Sequence, residues 1–367
     1  MQALILAGGE GTRLRPLTST IPKPVAPLVG KPFVCYMLEW LRGHGIDDVI
    51  LACGFMADGV REILGDDTGL GLTLRYVEEP RPLGTGGALK FAEKLLDEQF
   101  FMLNGDVLTD IDLSEQLRQH QRTQARATLA LIEAEDPSAY GLVRRNPDHS
   151  VAEFVEKPGP EEIETSLINA GAYILEREVL DEMEPAGTNI SVERDLFPAL
   201  VGRGLFGYRA SGYWLDIGTP SRYLQGTFDV LEGNVQTEIG RRLGEASLVL
   251  IHGATIEGKV IAPATVGPGS LVAEQAIVGG RAVLGSGVTV AAGAHVEASV
   301  VLDGATVGAR STIIDSILGP SVEIGEDCHI GSGVVLGEGV TIGADNVLAG
   351  GARIFPGVQL PAGAISF

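Results

Sequence analysis

Arg13 and Lys23 are the two cations on which a chemical reading of this chain turns, because both sit beside glycines just after a short apolar run. Residues 3–7 read as a buried strand. Gly8, Gly9 and Gly11 follow, and they permit backbone angles and main-chain approaches that a side chain forbids, so N–H groups can face an anion. Arg13 offers a planar fork of donors suited to phosphate and keeps its charge at any physiological pH. Pro22-Lys23-Pro24 holds the second cation between two residues of fixed φ. Together these features describe a cradle for a polyphosphate. No Gly-Lys-Ser/Thr is present, which excludes a P-loop, and Gly9-Glu-Gly11 lacks the third glycine of a dinucleotide fingerprint.

Further chemistry-bearing residues recur at the ends of strand-like segments. After residues 72–77 comes Glu78-Glu79-Pro-Arg-Pro-Leu-Gly84-Thr85-Gly86-Gly87, where the glycines leave room for a flat group and Thr85 can cap the next helix. Glu78 or Glu79 could accept from the N–H groups on a guanine edge, or be a solvated strand end. Asp106 follows the apolar segment 100–103, a placement suited to a hard cation that keeps waters and binds phosphate oxygens. Glu156-Lys157-Pro158 offers an acceptor for hydroxyls and a point charge for phosphate. Asn169 both donates and accepts. Asp216 lies just ahead of Thr219 and Pro220, a cap and first-turn pair for a helix. Glu193 and Asp195, on a helix capped by Ser191, are assigned a structural role, and Trp214 is assigned to packing.

Residues 6–18 with Pro22-Lys23-Pro24 resemble the signature of the sugar-1-phosphate nucleotidyltransferases, and the form is most similar to bacterial guanylyltransferases acting on mannose 1-phosphate. The resemblance implies catalytic roles for Arg13, Lys23, Asp106, Lys157 and Asp216. It implies a nucleotide site of Leu6, Ala7, Gly8, Gly9, Gly11, Thr12, Arg13, Lys23, Glu79, Gly84 and Thr85. It implies a sugar-phosphate pocket of Gly141, Glu156, Lys157 and Asn169, and Mg²⁺ held by Asp106 and Asp216. The expected substrates are GTP and mannose 1-phosphate, giving GDP-mannose and pyrophosphate. The same chemistry with dTTP, UTP or ATP and glucose 1-phosphate, or with another sugar or cyclitol phosphate, is the alternative. A hexapeptide acyltransferase using His252, His295 or His329 and an inactive regulatory homologue are the other classes. The absence of a long inserted loop argues against the first, and retention of all five catalytic residues argues against the second.

The elements that must position these residues come next. Strand-like and helical segments alternate (helix 32–44, strand 49–52, helix 60–64, strand 72–77), which predicts a Rossmann-like, mainly parallel sheet covered on both faces, with ligands at the carboxyl ends of the strands. This catalytic domain is expected over 1–235. A linker is expected at 234–247. Over 248–367 an apolar residue recurs every six: Val260, Val266, Val272, Val278, Leu284, Val290, Val296, Leu302, then, after a slip, Leu318, Ile324, Ile330, Leu336, Ile342, Leu348, Ile354 and Leu360. That period is the mark of a hexapeptide β-helix, and the resemblance implies the left-handed form.

The 367 residues suffice for two domains, and 50 glycines with only 5% aromatics suit a repeat built on small residues. A formal net charge of −21 argues against nucleic acid or anionic lipid as partner. Three cysteines without metal-ligand spacing predict buried or idle thiols in a reducing compartment. With no apolar stretch of membrane-spanning length, a cytoplasmic enzyme is expected. The open ends and flat faces of the solenoid predict a homo-oligomer built through it.

Overall fold

The computed structural model describes residues 1–65, 68–331 and 333–366. It divides into two units, Met1–Glu10 with Val34–Trp214 and Gly11–Phe33 with Leu215–Phe367. Phe367, the expected end of the solenoid, lies outside the described residues.

The first unit is built on a nine-stranded sheet. Its centre is a parallel set in the order Gln99–Asn104, Gln2–Ala7, Asp48–Cys53, Thr73–Glu78. Ala3, Leu4, Ile5, Val49, Ile50 and Leu51 have no exposed surface, so both faces of these strands are covered, as unbroken apolar runs require. Strand Leu167–Glu176 continues the sheet antiparallel to Gln99–Asn104 and also pairs with Ala127–Glu133. One core runs through Leu4, Ile50, Met102, Leu129, Tyr173 and Phe197. Each fully buried side chain of this size contributes about 1.5–3 kcal/mol, so the sheet is a stiff base for the loops at its edge. The parallel register pairs Ala7 with Cys53, Cys53 with Glu78 and Leu6 with Asn104. Gly8, Gly54, Glu79 and Asp106 therefore follow neighbouring strands off the same edge.

Asn169-Ala-Gly171 lies inside strand Leu167–Glu176, at a register shift between Asn169 and Tyr173. The stretch expected as a linker contains helix Glu238–Glu245, whose Thr237 cap accepts from Gly240 N–H at 3.0 Å. The apolar positions of that helix are too few to show a period.

In the second unit, residues 11–33 form short 3₁₀ turns and a small hairpin, Pro27–Leu28 with Lys31–Pro32. Helix Pro220–Glu232 starts as its sequence dictates, with Pro220 in the first turn and Thr219 Oγ1 accepting from Arg222 N–H. The solenoid follows. Among the described residues it comprises three parallel sheets of seven, seven and six strands, visited in rotation by the chain. That is a parallel β-helix with three faces per turn, consistent with the left-handed form. Val266, Val272, Val278, Leu284, Val290 and Val296 all point into its core.

The phase of the repeat differs from the sequence reading. The inward row continues Val296, Val301, Val307, Ile313, Leu318, so two steps are each one residue short, and Leu302 falls outside the row. The shortened corners stack. Ser299 and Ser316 are fully buried there, Ser299 Oγ donates to Glu297 O at 2.6 Å, and Ser316 N–H donates to Ser299 Oγ at 3.1 Å. A buried hydroxyl thus satisfies a backbone N–H of the next coil, as Ser270 and Ser311 do at full-length corners. Among the described residues, no helix is long and apolar enough to cross a membrane.

Candidate active site

At the sheet edge of the first unit, Gly8 faces Glu79. A Cβ on Gly8 would lie 2.9 Å from Glu79 Oε1. Glu79 Oε2 accepts from Leu83 N–H at 3.1 Å, and Glu79 N–H donates to Cys53 O at 2.9 Å. Burial raises the Glu79 carboxyl, and the Leu83 bond only partly opposes it. Burial together with Glu78 and Glu79 pushes the Cys53 thiol up to about 12, which makes it an inert packing group. Gly54, which the sequence reading passed over, belongs here: its Cβ would meet Gly8 O at 3.0 Å.

The room expected beside Gly84, Gly86 and Gly87 is filled by the protein itself. Cβ atoms at these positions would strike Ile190 O at 2.5 Å, Ile190 Cγ2 at 2.8 Å and Thr188 O at 2.6 Å. Gly86 and Gly87 N–H both donate to Ile190 O. Nor does Thr85 cap its helix, which begins at Gly84 with no side-chain cap. Its hydroxyl donates to Glu193 Oε2 at 2.7 Å and accepts from Val192 N–H at 3.0 Å. Thr85 is one residue too far into the helix to reach its own orphan N–H groups.

The expected sugar-phosphate residues come together. A Cβ on Gly141 would lie 2.9 Å from Glu156 Oε2, so the glycine gives that carboxylate its place. Glu156 is half-buried, and its carboxyl is raised by burial first and by Glu193 second, against Lys157 and Arg194. Lys157 is exposed and holds a left-handed φ of 52°. Asn169 Oδ1 accepts from Gly171 N–H at 3.1 Å and Nδ2 donates to Tyr173 OH at 2.8 Å. One N–H and one lone pair remain for a sugar hydroxyl. Trp214 packs edge-on against Tyr140 and donates to Ala170 O at 2.8 Å. Glu193 is the residue the sequence reading placed elsewhere: its helical spacing looked structural, and only the fold sets it between Thr85 and Glu156. Asp106 follows Gly105, whose N–H donates to Leu6 O at 3.0 Å.

In the second unit, Gly11 takes a left-handed φ of 62° and its carbonyl accepts from Thr18 Oγ1 at 2.7 Å and Leu14 N–H at 2.9 Å. The turn buries Leu14 completely and leaves the Arg13 side chain 65% exposed. Lys23 is buried with its stem against Gly11. Arg13 Nη2 stands 3.9 Å from Asp216 Oδ2, and Asp216 is largely shielded. Gly218 makes this pair possible, since its Cβ would fall 2.7 Å from Arg13 Nη2 and 2.8 Å from Asp216 Oδ1.

Asp106 and Asp216 offer hard oxygen donors. No group of three or more His, Cys, Asp or Glu among the described residues could hold a metal ion. Carboxylate oxygens of this kind suit magnesium, which keeps waters and takes one or two carboxylates together with phosphate oxygens. Two of the solenoid histidines face neighbouring side chains: His295 Nε2 lies 3.3 Å from Glu297, and His252 lies against Arg242.

Residues 2–233 match the model of the Nucleotidyl transferase family, and residues 260–363 match the GMPPB C-terminal domain. A mannose-1-phosphate guanylyltransferase of Mycobacterium tuberculosis is 38% identical over 371 residues, covering 100% of this chain and 98% of that protein. A relative from Oryza sativa subsp. japonica, described as "Probable mannose-1-phosphate guanylyltransferase 1", is 32% identical over 90% of this chain and 92% of its own length. Among solved structures, HddC from Yersinia pseudotuberculosis complexed with GMP-PN is 30% identical, with a TM-score of 0.53 over 62% of this chain and 97% of that one.

Proposed function

The chain belongs to the nucleotidyl transferase family, and we propose that within it the enzyme transfers GMP from GTP to mannose 1-phosphate. An oxygen of the sugar phosphate attacks the α-phosphorus of GTP. The bond from that phosphorus to the α–β bridging oxygen breaks, and pyrophosphate leaves with the electron pair, giving GDP-mannose. The attacking group is already an anion, so no strong general base is needed. The barrier lies in bringing two anions into line and neutralising the leaving charge.

The observation that carries this reading is the Arg13–Asp216 pair at 3.9 Å beneath Gly218. A carboxylate this close keeps the guanidinium aimed without occupying its fork, which stays exposed for phosphate. Arg13 and Lys23 hold the triphosphate and the departing pyrophosphate, with backbone from Leu6, Ala7, Gly8, Gly9, Gly11 and Thr12. Glu79 accepts from the guanine edge, and Gly84 and Thr85 shape that side of the nucleotide site. Lys157 draws in the sugar phosphate, and Gly141, Glu156 and Asn169 meet its hydroxyls. Mg²⁺ on Asp106 and Asp216 supplies neutralisation of phosphate charge when bound. The choice of guanine and mannose is supported by what the full-length relatives are named for. None of the three cysteines is in a disulfide, which supports a cytoplasmic enzyme. The exposed Phe355 and Val358 of the last coils support self-association through the solenoid.

The test is pyrophosphate release with Mg²⁺ across GTP, dTTP, UTP, ATP and CTP against mannose, glucose, galactose and glucosamine 1-phosphates. Dominant turnover in the GTP and mannose 1-phosphate well is expected. Dominant turnover in another well discards the base or sugar assignment, and a blank grid discards the reaction.

A further inference from the structure

We propose that Arg353, in the solenoid, is a positioning residue for nucleotidyl transfer: it clamps the backbone that carries Arg13. This rests on the role given to Arg13 above. Arg353 opens strand Arg353–Ile354, where its backbone pairs with Val335. Its side chain leaves the solenoid surface. Nη1 donates to Arg13 O at 3.1 Å and to Arg15 O at 3.0 Å. The two carbonyls flank Leu14, whose side chain is fully buried. The turn is therefore fixed on one side by Leu14 and by the Thr18–Gly11 bond, and on the other by a guanidinium. Arg13 itself is mostly exposed and has little packing of its own, so its backbone, together with Asp216 at 3.9 Å, decides where its fork points. A guanidinium satisfying two carbonyls also places a second positive charge beside the proposed phosphate site. Arg353 touches no reacting atom in this scheme. It acts through Arg13, and it makes a late coil of the solenoid part of the catalytic apparatus.

A merely structural contact predicts something different. Arg353 is exposed and stands outside the solenoid core, so removing its charge leaves the fold intact. The experiment uses the full-length protein and whichever nucleotide and sugar phosphate the wild type turns over best. Arg353→Met, which keeps the aliphatic stem, should lower kcat about tenfold, as small misplacements of a charge-neutralising group do, with an unchanged melting temperature and an unchanged KM for sugar phosphate. Arg353→Lys should recover part of the rate, because one ammonium can reach a carbonyl but lacks the fork. In an Arg13→Ala background, Arg353→Met should cost little more, since the two act as one unit. Hydrogen exchange of residues 11–20, measured without substrate, should speed up in Arg353→Met. An unchanged kcat, an equal loss in the Arg13→Ala background, or unchanged exchange would each overturn the proposal. Failure of the guanine or mannose assignment would appear in the wild type alone and would leave these ratios measurable.

Discussion

The hydroxyl of Thr85 donates to the carboxylate of Glu193 at 2.7 Å, joining two segments 108 residues apart. The same carboxylate accepts from Ser191 Oγ at 2.7 Å, and its charge adds to the burial that raises the Glu156 carboxyl. One acid therefore locks the start of helix Gly84–Ala92 and contributes to the electrostatics of the proposed sugar pocket. The Thr85 loop and the proposed sugar pocket are tied by a hydrogen bond and a repulsion that share one residue.

Thr85→Val keeps the shape of the side chain and removes the donor and the acceptor. It leaves Glu193 short of one bond and Val192 N–H without its partner. The expected loss is about 1–3 kcal/mol of stability, the cost of leaving a shielded polar group unmade. Thr85→Ser should restore most of it. Thermal or denaturant unfolding of the three proteins checks this, and a Val variant as stable as the wild type would remove Thr85 from the lock.

Glu156 and Glu79 both titrate above their ordinary value of 4.5 in the folded chain. A raised carboxyl keeps its proton longer when folded than when unfolded. Unfolding thus releases a proton between 4.5 and the raised value, and stability falls as pH climbs through that window. Glu156→Gln has no such loss. Its melting temperature relative to the wild type should therefore rise as pH goes from 4 towards 7.5, while its KM for sugar phosphate worsens. A melting difference that stays constant with pH would show that Glu156 titrates normally.

The proposed reaction gives Asp216 and Asp106 to the metal. Asp216→Asn and Asp106→Asn should each lower kcat at least about a hundredfold, the scale of losing charge stabilisation in phosphoryl chemistry. Each should also raise the Mg²⁺ concentration needed for half-maximal rate. Asp216→Asn should in addition loosen Arg13, its neighbour at 3.9 Å. Rates measured over a Mg²⁺ titration decide the matter: near-normal turnover in either variant would end the assignment.

Much of this site was readable from residue types, because glycine, proline and charge next to a strand leave few structural options. The strand edge carrying Gly8, Glu79 and Asp106 is of that kind, and so is the Thr219-Pro220 helix start. Glu193 was not readable, since its meaning comes from Thr85 and Glu156, which no local pattern brings to it. Thr85 itself was misread as a cap because a threonine after a glycine fits a cap as well as a first-turn residue. The solenoid was legible from its six-residue beat. Its two shortened corners were not, because Val301 and Leu302 are adjacent and equally apolar, and only strand pairing shows which one faces inward. Arg353 had no signal at all: it is an arginine at an exposed repeat position, and its partners are backbone carbonyls about which sequence says nothing.

Lys157 holds a φ of 52° and is followed by Pro158, a combination that a residue with a Cβ adopts only under constraint. Backbone strain at a charged, exposed residue points to a functional reason for keeping lysine there. Two substitutions separate backbone from charge. Lys157→Gly relieves the strain and Lys157→Ala retains it, so the glycine variant should be about 1 kcal/mol more stable than the alanine variant. Both remove the ammonium. Both should raise the KM for sugar phosphate about tenfold or more, the worth of a charge-assisted hydrogen bond to phosphate, and leave the KM for nucleotide nearly unchanged. Equal stabilities would show that the left-handed backbone costs nothing here. A larger effect on nucleotide than on sugar phosphate would move Lys157 to the other substrate.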